Sequence, residues 1–222
     1  MRLVLLGLPG AGKGTQAQLL AQRLGLLHIS TGDMFRQAAA EGTALGKRAQ
    51  EYMSRGELVP DEVTIGMLLD RIQRPDAAAG IMLDGFPRTI PQAEALDAAL
   101  SGQGRAIDAA LYIKVPEDLL MARLTGRWSC PNCGAIYHEI TNPPAVAGTC
   151  DRCGAALTQR ADDRPDTVRA RLDTNRAWTE ALAEYYEKQG KLHTVDGTGG
   201  PDEVTARLTQ AIAAVSSHAE KA

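Results

Sequence analysis

Gly7-Leu8-Pro9-Gly10-Ala11-Gly12-Lys13-Gly14-Thr15 is the stretch that decides the fold. Its glycines let backbone N–H groups turn inward around phosphate oxygens, and Lys13 supplies a point charge for the outer phosphates. The general phosphate-loop pattern is glycine, four residues, then glycine-lysine-serine/threonine. Gly7, Gly12 and Lys13 fit it, Gly14 takes the usual Ser/Thr place, and Thr15 follows. Before the loop, Leu3-Val4-Leu5-Leu6 is a short apolar run bounded by glycine, the pattern of a buried parallel strand. After it, Ala17, Leu20, Ala21 and Leu24 recur at helical spacing until Gly25 supplies a stop. A helix placed there points its positive end at the same anion.

Working outward, a second strand is expected at 27–29. A turn and helix start follow at Ser30-Thr31-Gly32-Asp33, and a helical run to about residue 70 is broken by Gly42, Gly46 and Gly56. Further strands are expected at 80–84, 109–115 and 193–195, and helices at 91–100, 116–124, 165–189 and 202–215. Strands alternating with helices imply an α/β fold with a central parallel sheet covered on both faces. The segment 127–163 differs, with cysteines, glycines and prolines but few periodic apolar residues, and reads as an inserted module.

The 222 residues suffice for one main domain with smaller appendages. Lysine and arginine number 24 against 27 acids, a net charge of −3, which argues against a nucleic-acid polyanion as partner but leaves room for small phosphorylated ligands. Aromatics are only 4%, so the core is expected to be aliphatic. No stretch is apolar enough to span a bilayer, and the first apolar run is too short for a signal peptide. A cytoplasmic protein without a membrane partner is expected, with a monomer as the default.

Cys130-Pro131-Asn132-Cys133 and Cys150-Asp151-Arg152-Cys153 are two CxxC knuckles at zinc-ribbon spacing, each followed by a glycine. Four thiolates suit tetrahedral Zn²⁺ in a closed structural site. Two disulfides, free thiols or an iron–sulfur cluster are the alternatives.

Gly-x-Pro-Gly-x-Gly-Lys-Gly-Thr is the loop form found in adenylate kinases and related nucleoside monophosphate kinases, and Asp84-Gly85-Phe86-Pro87-Arg88 with Gln92 resembles that family's signature. The resemblance extends over nearly the whole chain, including the long zinc-bearing lid. It implies reversible phosphoryl transfer between MgATP and AMP, giving two ADP. It implies a core of 1–29, 60–126 and 164–222, a nucleoside monophosphate-binding segment 30–59 and a lid 127–163. By the same resemblance Gly10, Ala11, Gly12, Lys13, Gly14, Thr15, Arg123, Arg127, Ile136, Tyr137 and Gly199 meet ATP. Thr31, Arg36, Glu57, Leu58, Val59, Gly85, Phe86, Pro87, Arg88, Gln92, Arg160 and Arg171 meet AMP. Asp84 holds the water shell of Mg²⁺, and Lys13, Arg88, Arg123, Arg160 and Arg171 stabilise the transferring group. Asp162 and Asp163 either pair with these arginines or are surface acids. Two departures stand out: Glu57 where some members have Lys, and Trp128 where a second lid arginine is common. The alternatives are a kinase for UMP, CMP or GMP, and a non-enzymatic nucleic-acid-binding module using the zinc ribbon.

Overall fold

A computed structural model describes residues 1–219, with side chains through Val215; residues 220–222 of the expected core lie outside the described residues. The strands are β1 (Arg2–Leu6), β2 (Leu27–Ser30), β3 (Ile81–Asp84), β4 (Ala109–Lys114), β5 (Arg127–Ser129), β6 (Ile136–His138) and β7 (Leu192–Asp196). The helices are α1 (Lys13–Leu24), α2 (Thr31–Ala40), α3 (Ala44–Ser54), α4 (Asp61–Ile72), α5 (Ile90–Ser101), α6 (Glu117–Thr125), α7 (Pro165–Lys188) and α8 (Pro201–Ala219). Short 3₁₀ turns occupy Pro75–Ala77 and Ala161–Asp163.

Five strands form one parallel sheet in the order β2-β3-β1-β4-β7. Successive strand residues face opposite sides, which divides the apolar residues of β1 between two cores. Leu3 and Leu5 pack with Leu20 of α1, Leu120 and Leu124 of α6 and Leu208 of α8. Val4 and Leu6 pack with Leu68 of α4, Leu96 of α5 and Tyr186 of α7. The sheet is therefore covered on both faces, as the alternation of elements predicted. The aliphatic character predicted from composition also holds: Phe86 and Tyr186 are the aromatics among the largest fully buried side chains. No helix among the described residues is long and apolar enough to cross a membrane.

Two smaller units rise from the carboxyl ends of the strands. The helical run expected over 30–70 resolves into α2, α3 and α4. Gly42 (φ +73°) and Gly56 (φ +77°) stand in the left-handed region where it breaks. Gly46 is no break. It lies inside α3, against the Ala38–Ala39 backbone of α2, where a Cβ would overlap main chain. The other unit is the antiparallel pair β5–β6 with the cysteine knuckles. Pro116 caps α6 from outside, and Thr89 caps α5, accepting from the Gln92 N–H.

Gly7 ties the phosphate loop to the sheet. At φ +146°, a Cβ on it would stand 2.7 Å from the Ile113 carbonyl oxygen of β4. Gly7→Ala is expected to destabilise the protein by about 1–3 kcal/mol through backbone strain and to weaken triphosphate binding. Urea unfolding and nucleotide titration of the variant check both effects.

Candidate active site

In an open parallel sheet, ligands bind beyond the carboxyl ends of the strands at the point where strand order reverses. Here that point lies between β1 and β3, where Leu5 pairs with Asp84. The chain leaving β1 turns through Gly10 (φ +85°) and Gly12 (φ +93°) into α1. The Lys13 ammonium lies back over this turn, donating to the carbonyls of Gly7 (2.7 Å) and Leu8 (3.0 Å). Burial, reinforced by Arg88, Arg171 and Arg127 against the pull of Asp84, brings its pKa down to about 8.

The structure explains Gly14. A Cβ there would stand 3.3 Å from Asp84 Oδ2, so the usual Ser or Thr would crowd the carboxylate. Burial works against the charge of Asp84. The His28 ring and Lys13 more than offset it and hold the carboxyl below the usual carboxylate range. His28 Nε2 lies 3.8 Å from Asp84 Oδ2 and, though buried, has no hydrogen-bond partner among the described residues.

Across the cleft, Ser30 rather than Thr31 caps α2, accepting from the Asp33 N–H. The buried Thr31 hydroxyl instead donates to the Gly85 carbonyl (2.8 Å). Arg88 donates through Nε to the same carbonyl (2.9 Å), and Arg36 pairs with Asp33. The Phe86–Pro87 peptide is cis; Phe86 is buried in the core, while Gly85 and Pro87 line the cleft. Glu57 turns its carboxylate to Arg55 (2.8 Å), and Glu57, Leu58 and Val59 all line the cleft.

Gln92 is buried, and its amide is held at both ends. Oε1 accepts from the Arg88 N–H (2.8 Å) and Nε2 donates to Asp61 (2.7 Å). Asp61 had no assigned role in the sequence. It reads there as an ordinary acid in the first turn of a helix, because its partners Thr89 and Gln92 lie 28 and 31 residues away.

Arg127 of β5 and Arg171 of α7 meet a buried acid. Asp163, fully buried, takes a two-pronged contact from Arg127 (2.8 Å from Nε) and a bond from Arg171 (3.0 Å). Arg171 also reaches Asp162 (3.2 Å). These two acids are therefore the counterions of the cluster and not a surface pair. Burial and the like charges of Arg36 and Arg127 bring Arg160 down to about 10, and burial with Arg171 does the same to Arg88. Arg123 donates to the Gly197 carbonyl (3.1 Å), at the turn that carries Gly199. Gln16, another residue without a sequence assignment, bonds the Pro201 carbonyl (2.9 Å) and Thr205 (2.7 Å), joining α1 to α8.

Lys13, Asp84, Arg36, Arg88, Gln92, Arg123, Arg127, Arg160 and Arg171 line one cleft of about 640 Å³, which also takes in Ile136, Tyr137 and Trp178; Asp61 and Asp163 support it from outside its lining. Trp128 lies outside its lining and is 36% exposed. The Tyr137 hydroxyl is already engaged, donating to or accepting from Cys150 Sγ (3.5 Å) and accepting from the Asp151 N–H (2.8 Å).

The four cysteines form no disulfide, and their sulfurs lie within 4.8 Å of one another. Zinc–sulfur bonds of about 2.3 Å give a tetrahedron edge of about 3.8 Å, so the set fits a four-thiolate metal site. Gly134 and Gly154, both at φ +73°, close the knuckles by donating to the Cys130 (3.0 Å) and Cys150 (2.8 Å) carbonyls.

A strand–phosphate loop–helix beside a strand-end acid, facing a second cluster of arginines, defines a P-loop nucleotide kinase. The adenylate kinase family model matches residues 5–191. An adenylate kinase of Geobacillus sp. (strain WCH70) is 54% identical over 95% of this chain and 97% of its own length. One from Moorella thermoacetica is 57% identical over 89% and 91%, and one from Carboxydothermus hydrogenoformans 53% over 96% and 99%. The chain belongs to the adenylate kinase family.

If the Lys13 loop holds a triphosphate, as expected from its sequence, binding is expected to be proton-linked. An anion beside the ammonium raises its pKa from about 8, so binding takes up a proton above that pH and affinity falls as pH rises. At about pH 8.5 the phosphates are already fully ionised. Calorimetry there in buffers of different ionisation enthalpy is expected to show uptake, and Lys13→Met to abolish it.

Proposed function

We propose that this chain transfers the terminal phosphoryl group of MgATP to AMP, giving two ADP. The observation that supports this reading is that a single cleft is lined by two cationic groups, the Lys13 loop and the cluster of Arg36, Arg88, Arg160 and Arg171. One phosphate site would suit a hydrolase; two suit a donor and an acceptor.

In the proposed reaction, Gly10, Ala11, Gly12, Gly14 and Thr15 cradle the ATP phosphates, and Lys13 leaves its carbonyl partners for the outer ones. Arg123 and Arg127 join them. Ile136, the ring face of Tyr137 and the Gly199 backbone hold the ATP base and ribose, because the Tyr137 hydroxyl is occupied on the cysteine side. Arg36, Arg88, Arg160 and Arg171 grip the AMP phosphate, while Thr31, Val59 and Gln92 receive its base. Asp84 orients the water shell of Mg²⁺, which neutralises charge on the bridging phosphates when bound. The acceptor phosphate is already an anion at pH 7, so no general base is required. Catalysis is positioning plus electrostatic stabilisation.

Segments 30–59 and 127–163 are proposed to act as the acceptor-binding and lid units. Closing them excludes water, which would otherwise compete with AMP for the phosphoryl group. The lid lacks a large apolar core: Ala135, Tyr137 and Leu157 pack with the two buried cysteines. A structural Zn²⁺ held by Cys130, Cys133, Cys150 and Cys153 would replace the missing core. The proposal takes the working form to be a cytoplasmic monomer.

A coupled assay of ADP formation from MgATP with AMP, CMP, UMP and GMP tests the reading, with AMP the expected acceptor; faster phosphorylation of UMP would overturn it. Lys13→Ala, folded by circular dichroism, is expected to lose at least about a hundredfold in rate. For the lid, elemental analysis is expected to find one zinc per chain. Its removal by chelation is expected to lower the melting temperature and free four thiols to titration.

A further inference from the structure

We propose that Asp61 is a positioning residue for acceptor specificity: it locks the Gln92 amide in the orientation that accepts adenine and rejects guanine. The proposal rests on the reading that Gln92 meets the acceptor base.

A glutamine amide is nearly symmetric in shape but not in chemistry. Rotated by half a turn, it exchanges a two-hydrogen donor for a two-lone-pair acceptor. Which end faces which way depends on its neighbours. At Gln92 both neighbours are unambiguous. The Arg88 backbone N–H can only donate, and it meets Oε1 at 2.8 Å. An ionised Asp61 carboxylate can only accept, and its Oδ1 meets Nε2 at 2.7 Å. The flipped amide would set donor against donor at Arg88 and acceptor against acceptor at Asp61.

Asp61 is itself held. Its Oδ2 accepts from the Thr89 hydroxyl at 2.7 Å, and that hydroxyl oxygen in turn accepts from the Gln92 backbone N–H at 3.3 Å. The network is closed and largely buried: Gln92 is 1% and Thr89 5% exposed. It spans the start of α4, which carries Asp61, and the start of α5, which carries Gln92.

The lock leaves one hydrogen on Nε2 and one lone pair on Oε1 free. Adenine offers the complement, an exocyclic N6–H donor beside the N1 ring-nitrogen acceptor. Guanine reverses the order on the same edge, with O6 accepting and N1–H donating. A fixed amide thus meets guanine acceptor to acceptor and donor to donor, and leaving such buried groups unpaired is what discriminates between otherwise similar ligands. A free amide could turn to suit either base.

The test is initial-rate kinetics with AMP and GMP as acceptors for the wild type, Asp61→Ala, Asp61→Asn and Gln92→Ala, with melting temperatures alongside. Asp61→Ala is expected to raise KM for AMP and to lower the AMP-over-GMP ratio of kcat/KM by about tenfold, leaving KM for ATP unchanged. If Asp61→Ala does not fold, Asp61→Asn is read in its place. It keeps the shape but can still accept from Nε2 through one oxygen while its amide nitrogen faces Thr89, so a smaller loss of discrimination in the same direction is expected. A ratio unchanged in the Asp61 variants but reduced in Gln92→Ala would overturn the role of Asp61 and leave base reading by Gln92 intact. A ratio unchanged in all three would overturn base reading itself, and the lock with it.

Discussion

Lys13, Arg36, Arg88, Arg127, Arg160 and Arg171 face one cleft, and the repulsion among them is the constraint on which the rest of the site depends. Burial and like charges hold Lys13 near 8 and Arg88 and Arg160 near 10, so the cluster is costly without an anion. The fold contains that cost with fixed oxygens. Gly7, Leu8, Gly85 and Gly197 offer carbonyls, while Asp33, Asp162 and Asp163 offer carboxylates. In the proposed function, an entering phosphate would relieve that repulsion.

The parallel sheet supplies the rigidity. Because β1 lies between β3 and β4, its loop is flanked by Asp84 on one side and braced by Ile113 on the other. Small residues then set how closely these parts approach: Gly14 makes room for Asp84, and Gly56 lies where a Cβ would meet Arg171 at 2.9 Å. Glycines separated widely in sequence thus act at one place. Two units stand outside the sheet, one of helices and one of knuckles and a short ribbon.

Much of this was legible in the chain. Strands β1 and β3 appeared as apolar runs, one followed by a glycine and the other ending in an acid, since a strand buried on both faces is apolar throughout. The phosphate loop and the knuckles were legible because their spacing is local: each is a short glycine-bearing turn of backbone. The helical run over 30–70 was harder. Its glycines look alike in sequence, yet Gly42 and Gly56 end helices while Gly46 admits a neighbouring one. The acids at 162 and 163 could equally have been surface residues, since nothing local distinguishes a buried counterion from a solvated one.

The sequence by itself therefore determined the α/β class, the phosphate loop, the four-cysteine lid and the family resemblance, because these depend on local spacing and periodicity. Tertiary structure decided which acid answers which arginine, why Gly14 replaces a hydroxyl residue, and that Asp61 holds Gln92. The longest of those contacts join residues 28 to 70 positions apart: Thr89 to Asp61 by 28, Gln92 to Asp61 by 31, Arg127 to Asp163 by 36, and Gly14 to Asp84 by 70. Their energies depend on burial and direction, which exist only once the strands are in register.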